Sequence, residues 1–183
     1  MERRVALAFE RFDQAELRFC RYLNRSSRWS LVRSVFATVS WLGNGWFWYL
    51  LLAVLPMTYG AHGGVAALHM ALTAAVGVAL YRFIKDRAVR ERPCIRHSAI
   101  ECAAAPLDRY SFPSGHTLHA VSFSLLAAAY FPTLAGPLAL FTLLIALSRV
   151  ILGLHYPTDV AAGAVLGGSL AAGSLLLGQA LLN

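Results

Sequence analysis

The chain has 183 residues, 58% of them hydrophobic and 14% charged, with a mean hydropathy of +0.58. Soluble domains carry about a quarter charged residues, so this composition excludes an ordinary soluble domain and indicates one integral membrane domain over residues 1–183. The net charge of +7 does not point to nucleic acid: apart from Arg149, every Lys and Arg lies in residues 1–35 or 82–110, flanking apolar stretches.

The N-terminal stretch MERRVALAFERFDQAELRFCRYLNRSS lacks the continuous apolar core of a cleavable signal peptide. Val5, Phe9, Phe12, Phe19 and Leu23 recur at roughly helical spacing. That pattern predicts an interfacial amphipathic helix over residues 1–28, or equally a solvated helix packed on a bundle. Five apolar spans follow, at about 31–59, 63–84, 114–131, 136–153 and 158–181, each near the ~20 helical residues a bilayer requires. The fold class is therefore an all-α membrane bundle. Gly43 and Gly45 are expected to kink the first span, and its tryptophans to pack between helices. The fifth span is rich in small residues, including Gly163 and Gly167, which let helices approach closely. Burial inside the chain's own bundle is the favoured use of that face; a homodimer seam is the other.

Counting crossings brings the chemistry together. Spans one and two return the chain to its starting side, as do spans three and four. The N-terminus, residues 85–113 and residues 154–158 then share one membrane face.

Three clusters lie on that face. In KDRAVRERP, Lys85 and Arg92 are seven residues apart. On a helix that is two turns, so both would share one side about 10 Å apart and converge on one anion. Pro93 should end that helix. A plain basic flank is the competing explanation. In SFPSGHTLHAV, Ser114 is a candidate N-cap, Gly115 allows close approach, and the amides of the first turn form an anion site. His116 would stand beside it as a proton donor, with His119 packing behind. In SRVILGLHYPTD, Arg149 is nearly the only charge within spans three to five and requires a partner. Pro157 suits the first turn of span five. Asp159 could reach back to His155, fix its tautomer and leave the other ring nitrogen as a nucleophile. A structural His–Asp capping pair is equally compatible with the spacing.

Taken together, three cations, a helix N-terminus and two histidines fit phosphoryl transfer without a metal or cofactor. The segments resemble the motifs of the type 2 phosphatidic acid phosphatase superfamily: Lys85 with Arg92-Pro93, Pro113-Ser114-Gly115-His116, then Ser148-Arg149 with His155 and Asp159. The match runs over about residues 82–160 without a gap or substitution. The resemblance implies phosphate binding by Lys85, Arg92 and Arg149, assisted by Ser114 and Gly115. It implies His155 as nucleophile, Asp159 as its orienting partner and His116 as general acid. Many members have six spans, whereas five plus an interfacial helix are read here.

The implied substrate is a lipid phosphate held at the bilayer surface: phosphatidic acid, phosphatidylglycerol phosphate, or a polyprenyl phosphate or diphosphate. A lipid phosphotransferase using the same site, or a non-catalytic lipid-phosphate-binding membrane protein, are the alternatives; both histidines and Asp159 are present, against the second. A bacterial inner membrane is the expected location. The concentration of Lys and Arg turns the catalytic face toward the cytoplasm. Cys94 and Cys102 pull the other way, since a disulfide between them would need an oxidising compartment.

Overall fold

A computed structural model describes residues 2–106 and 108–182, with side chains over 13–106 and 108–180. The described chain is all helical: α1 (Glu2–Asn24), α2 (Ser30–Trp41), α3 (Phe47–Lys85), the short α4 (Pro93–Arg96), α5 (Gly115–Tyr130), α6 (Ala135–Ile151) and α7 (Pro157–Leu182). Among the described residues, strand-like pairing is limited to one bridge between Glu91 and Tyr110. Three stretches are long and apolar enough to cross a bilayer: Ser30–Lys85, Pro132–Ile151 and Pro157–Ala180.

The first of these is a hairpin. Gly60 leaves the helical region at φ 58, ψ −137, a backbone that glycine adopts without a Cβ penalty. The chain then doubles back so tightly that a Cβ on Gly63 would lie 2.0 Å from the Leu55 carbonyl oxygen. Helix α2 continued by the first arm of α3, and then the second arm of α3, supply the two spans expected at 31–59 and 63–84. The expected kink is a π-type turn over Leu42–Trp46, where Gly45 has φ 124.

Helix α5 is the centre of the bundle and packs against α3, α6 and α7. Between helices in lipid, association depends on close packing more than on expulsion of water. Accordingly, a Cβ on Gly163 would lie 2.5 Å from the Ser114 oxygen, and one on Gly167 would lie 2.3 Å from the Leu118 oxygen. Both glycines join α7 to α5 within the chain. Trp48 is buried and stacks on Phe123 with ring centroids 4.9 Å apart. Trp41 and Trp46 depart from the expectation: both are more than half exposed and face outward, stacked on each other beside the turn.

Helix α1 docks by a mixed face. Glu16, Cys20 and Asn24 are buried, while Phe19 is half exposed; Val5, Phe9 and Phe12 lie outside the residues whose side chains are described. Asn24 shows why a polar residue is turned inward. Its amide nitrogen donates to the carbonyls of Glu101 and Ile151, each at 2.9 Å, and its oxygen accepts from the Glu101 amide. A buried amide needs such partners. One side chain therefore ties the N-terminal helix to a distant loop and to the end of α6, and the crossing count is realised: α1, residues 86–106 and 108–114, and residues 152–156 meet at one end of the bundle. There Cys94 and Cys102 form a disulfide, and their loop bonds to the segment ahead of His155 through Cys94 N to Gly153 O (3.1 Å) and Ala103 N to Leu152 O (3.2 Å).

Candidate active site

Helix α3 ends at Lys85 because the chain turns there, and Arg92 is extended at φ −65, ψ 148, just before Pro93 at the start of α4. Lys85 and Arg92 are thus not two turns apart on one helix, as their spacing suggested. A proline disfavours helix for the residue before it, and the strand-like pairing of 90–92 with 109–111 takes over: Arg92 N bonds Arg109 O and Ser111 N bonds Arg90 O. The two cations still converge, from opposite sides of a loop, on one carboxylate. Asp108 accepts from Lys85 Nζ at 2.7 Å and from Arg92 Nη2 at 2.9 Å.

Arg92 is 2% exposed. Its remaining donors reach the carbonyls of Asp108 (2.6 Å) and Leu154 (2.9 Å), and Nη1 lies 3.0 Å from His155 Nε2. A guanidinium only donates. Nε2 of His155 must therefore accept, which leaves the proton on Nδ1. Burial, then the charges of Arg149, Arg92 and Lys85, push the His155 imidazole well below its ordinary value. The ring is neutral at pH 7, with its lone pair facing the cations.

Asp159 is fully buried, with Oδ2 3.8 Å from His155 Nδ1. That is too long for a hydrogen bond. The carboxylate is held by other donors: Oδ2 accepts from the Tyr156 amide at 2.7 Å, capping α7, and Oδ1 accepts from Arg90 at 2.7 Å. Ser114 also works behind the site. Its hydroxyl accepts from the Thr117 amide at 3.5 Å as the N-cap of α5, and its own amide bonds Asp159 O at 3.0 Å. Arg149 is buried; its Nη1 bonds the Ser40 hydroxyl, and its Nε has no partner among the described residues. A buried charged donor without an acceptor is costly, and an anion beside it would remove that cost.

Lys85, Arg92, Gly115, His116, Arg149 and His155 line one cavity of about 270 Å³. Ser114 and Asp159 do not line it; they fix the residues that do. Trp48, Ala74, Val78 and Phe123 line the same cavity, so charged and apolar walls share it. Residues not singled out from the sequence complete it. Asp108 occupies the cation pair, and Ser40 holds Arg149. A hydroxyl inside an apolar span was a usable signal for Ser40; one acid among several in a long loop gave none for Asp108.

The PAP2 superfamily profile matches residues 66–181. Decaprenylphosphoryl-5-phosphoribose phosphatase of Mycobacterium tuberculosis is 34% identical over 132 residues, covering 70% of this chain and 68% of that protein. The crystal structure of Aquifex aeolicus LpxE superposes with a TM-score of 0.70 at 27% identity, covering 87% of this chain and 93% of the other. The transmembrane PAP2-type phosphatidylglycerolphosphate phosphatase of Bacillus subtilis shares the fold, with a TM-score of 0.69 at 22% identity, covering 87% of this chain and 84% of that one. The chain belongs to the PAP2 superfamily and is a membrane phosphatase of that family.

Proposed function

We propose that the protein is a metal-independent lipid phosphate phosphatase that works through a phosphohistidine on His155. One observation supports this most directly: the unprotonated Nε2 of His155 and the ring of His116 share a cavity with Lys85, Arg92 and Arg149, which apolar side chains also line. A phosphate seated among the cations displaces Asp108 and draws Arg92 from His155 onto its own oxygens. His155 Nε2 forms a bond to phosphorus as the bond to the lipid oxygen breaks. His116 gives its proton to that oxygen. His116 then takes a proton from water, whose oxygen attacks phosphorus. The N–P bond breaks, inorganic phosphate leaves, and both histidines return to their starting states. Fixed cations around the equatorial oxygens stabilise both transition states without reorganising.

The apolar part of the lining suits a lipid whose tail stays in the bilayer while its headgroup enters. Phosphatidic acid, phosphatidylglycerol phosphate and polyprenyl phosphates or diphosphates are the candidate substrates; likeness to a polyprenyl-linked phosphatase puts the last group first in a panel. The test is phosphate release by purified protein in detergent with EDTA, beside His155→Ala. Release that survives EDTA and disappears in the variant supports the mechanism. A folded protein that releases nothing from any of these lipids overturns it and leaves phosphotransfer to another lipid, or lipid binding, as the function.

We assign the protein to a bacterial inner membrane with the catalytic face outward, against the cytoplasmic orientation that the basic flanks suggest. The Cys94–Cys102 disulfide on that face favours an oxidising compartment. Two of the cations counted as topology signals, Lys85 and Arg92, serve phosphate instead. A membrane-impermeant thiol reagent should label Cys94 and Cys102 in intact cells only after reduction with an impermeant reductant. Labelling only after lysis reverses the assignment; labelling without reductant keeps the face outward and overturns the disulfide. Any homodimer through α7 would have to use Gly173 and Gly178, beside which space is open, because Gly163 and Gly167 are covered.

A further inference from the structure

Arg90 and Glu16 lie outside the cavity, Arg90 at a position between Lys85 and Arg92 to which the first motif gives no role, yet together they form a dense cluster of charged hydrogen bonds. Arg90 donates from Nη1 to Asp159 Oδ1 (2.7 Å) and Thr158 Oγ1 (2.7 Å), and from Nη2 to Glu16 Oε2 (2.6 Å). Glu16 Oε1 accepts from the Thr158 amide (2.8 Å) and hydroxyl (2.5 Å). The guanidinium also lies 3.9 Å over the Tyr156 ring. Asp159 is 0% exposed and Glu16 is 7% exposed.

These contacts have a chemical consequence. A buried carboxylate stays ionised only beside a compensating charge. The groups facing Asp159 are Arg90 from the loop, Glu16 and Cys20 from α1, and His155 and Tyr156 from the segment before α7. Among the described residues, Arg90 is the one cation in hydrogen-bond contact with it. Remove Arg90, and Asp159 takes up a proton or shifts toward water. Either change withdraws the negative charge from the Nδ1 side of His155, where positive charge builds up as Nε2 bonds phosphorus. Glu16 acts one step further back. It holds the fork of Arg90 in register and caps α7 at Thr158, so the N-terminal helix becomes part of the catalytic support.

We infer that Arg90, braced by Glu16 of α1, is a positioning residue that keeps Asp159 ionised and aimed at His155. The inference rests on the function proposed above. The test uses the full chain in detergent with short-chain phosphatidic acid and farnesyl diphosphate as probes, comparing Arg90→Met, Arg90→Lys and Glu16→Gln with the unaltered protein. Arg90→Met should lower kcat roughly 100-fold while KM moves less than about threefold, since orientation of a catalytic histidine is a transition-state effect. The acid limb of its pH profile should move to higher pH. Arg90→Lys should recover at least about a tenth of the activity, since the charge survives without the fork. Glu16→Gln should show the same pH displacement with a smaller loss, about tenfold. Infrared difference spectra add a readout independent of turnover. A protonated-carboxyl band should appear at neutral pH in Arg90→Met and vanish in Arg90→Met combined with Asp159→Asn.

Unchanged kcat in Arg90→Met overturns the inference. So does lost activity with an unmoved pH profile and no carboxyl band, which would make Arg90 a structural brace. If the unaltered protein releases no phosphate from either probe, the proposed activity toward them fails, and the carboxyl band alone still decides whether Arg90 controls Asp159.

Discussion

Arg92 donates to Nε2 of His155 across 3.0 Å, and both side chains are 2% exposed. The cation that will hold phosphate thus also holds the nucleophile's lone pair until phosphate arrives. The contact favours the tautomer that can attack. It also means that Arg92 has two successive partners, so its fork geometry matters as much as its charge.

Replacing Arg92 by Lys should therefore be severe. A lysine keeps one charge but cannot reach the Leu154 carbonyl, Asp108 and His155 together. Losing one charged hydrogen bond costs about 1.5–3 kcal/mol, so kcat/KM should fall roughly 10- to 100-fold. Steady-state kinetics on the purified variant check this; a KM effect alone would mean that Arg92 only binds.

The depressed titration of His155 has a signed consequence. The unfolded imidazole titrates near 6.5, whereas the folded one, buried and facing Arg149, Arg92 and Lys85, titrates lower. Between those two values the unfolded chain binds more protons than the folded one, so stability rises with pH through that window and is lost as pH falls through it. His155→Asn should flatten this part of the melting profile. The activity profile should likewise show no loss near 6.5, because the nucleophile is already unprotonated there. Thermal melts and rates from pH 5 to 8 test both.

Asp108 sits where a phosphate must go. Burial pushes its carboxyl up, but the Lys85 hydrogen bond and the Arg92 charge outweigh this and hold it below the usual carboxylate range. The side chain is 45% exposed, so the pair contributes only about 1 kcal/mol after solvent screening. Asp108→Asn should bind inorganic phosphate and vanadate roughly fivefold more tightly, measured as competitive inhibition. Weaker inhibition would mean that Asp108 orients the cations instead of competing for them.

The disulfide should support the nucleophile's loop. Cys94 and Cys102 are 8 residues apart, and closing so short a loop constrains the unfolded chain by about 2–3 kcal/mol. The same hairpin bonds Leu152 and Gly153 ahead of His155. Reduction, or Cys94→Ser with Cys102→Ser, should lower the melting temperature by several degrees and reduce kcat more than it raises KM. An unchanged kcat after reduction would separate the loop from catalysis.

Legibility in the sequence followed the range of the interaction. The helices, the Gly43–Gly45 kink and the common face of the motifs were readable, because apolar period, glycine and crossing parity are local or countable. The chain's path from Lys85 to Arg92 was misread as helix, since its pairing partner lies at 109–111. Glu16 with Arg90 was unreadable for the same reason: the residues are 74 apart, and only the closed bundle makes them neighbours. On α1 the apolar stripe drew attention to Phe19, yet the docking face carries Glu16 and Asn24. A hydrophobic pattern reports burial of apolar groups and is blind to polar groups buried for their hydrogen bonds.

The glycines of α7 give the sharpest separation between packing and chemistry. Gly167 lies against the Leu118 backbone, whereas Gly173 has open space. Gly167→Ala must push α7 away from α5, which begins with Gly115 and His116. Overpacking of this kind costs about 1–3 kcal/mol, against which alanine's better helix propensity returns at most about 1 kcal/mol. Gly167→Ala should therefore lower the melting temperature and also slow turnover, because the displaced helix carries the acid. Gly173→Ala gains the propensity with no clash and should leave turnover unchanged while holding or raising the melting temperature. Melting curves and rates measured on the two variants side by side decide it. A Gly167→Ala protein that melts lower but turns over normally would mean that His116 is fixed by its loop and not by the α5–α7 seam.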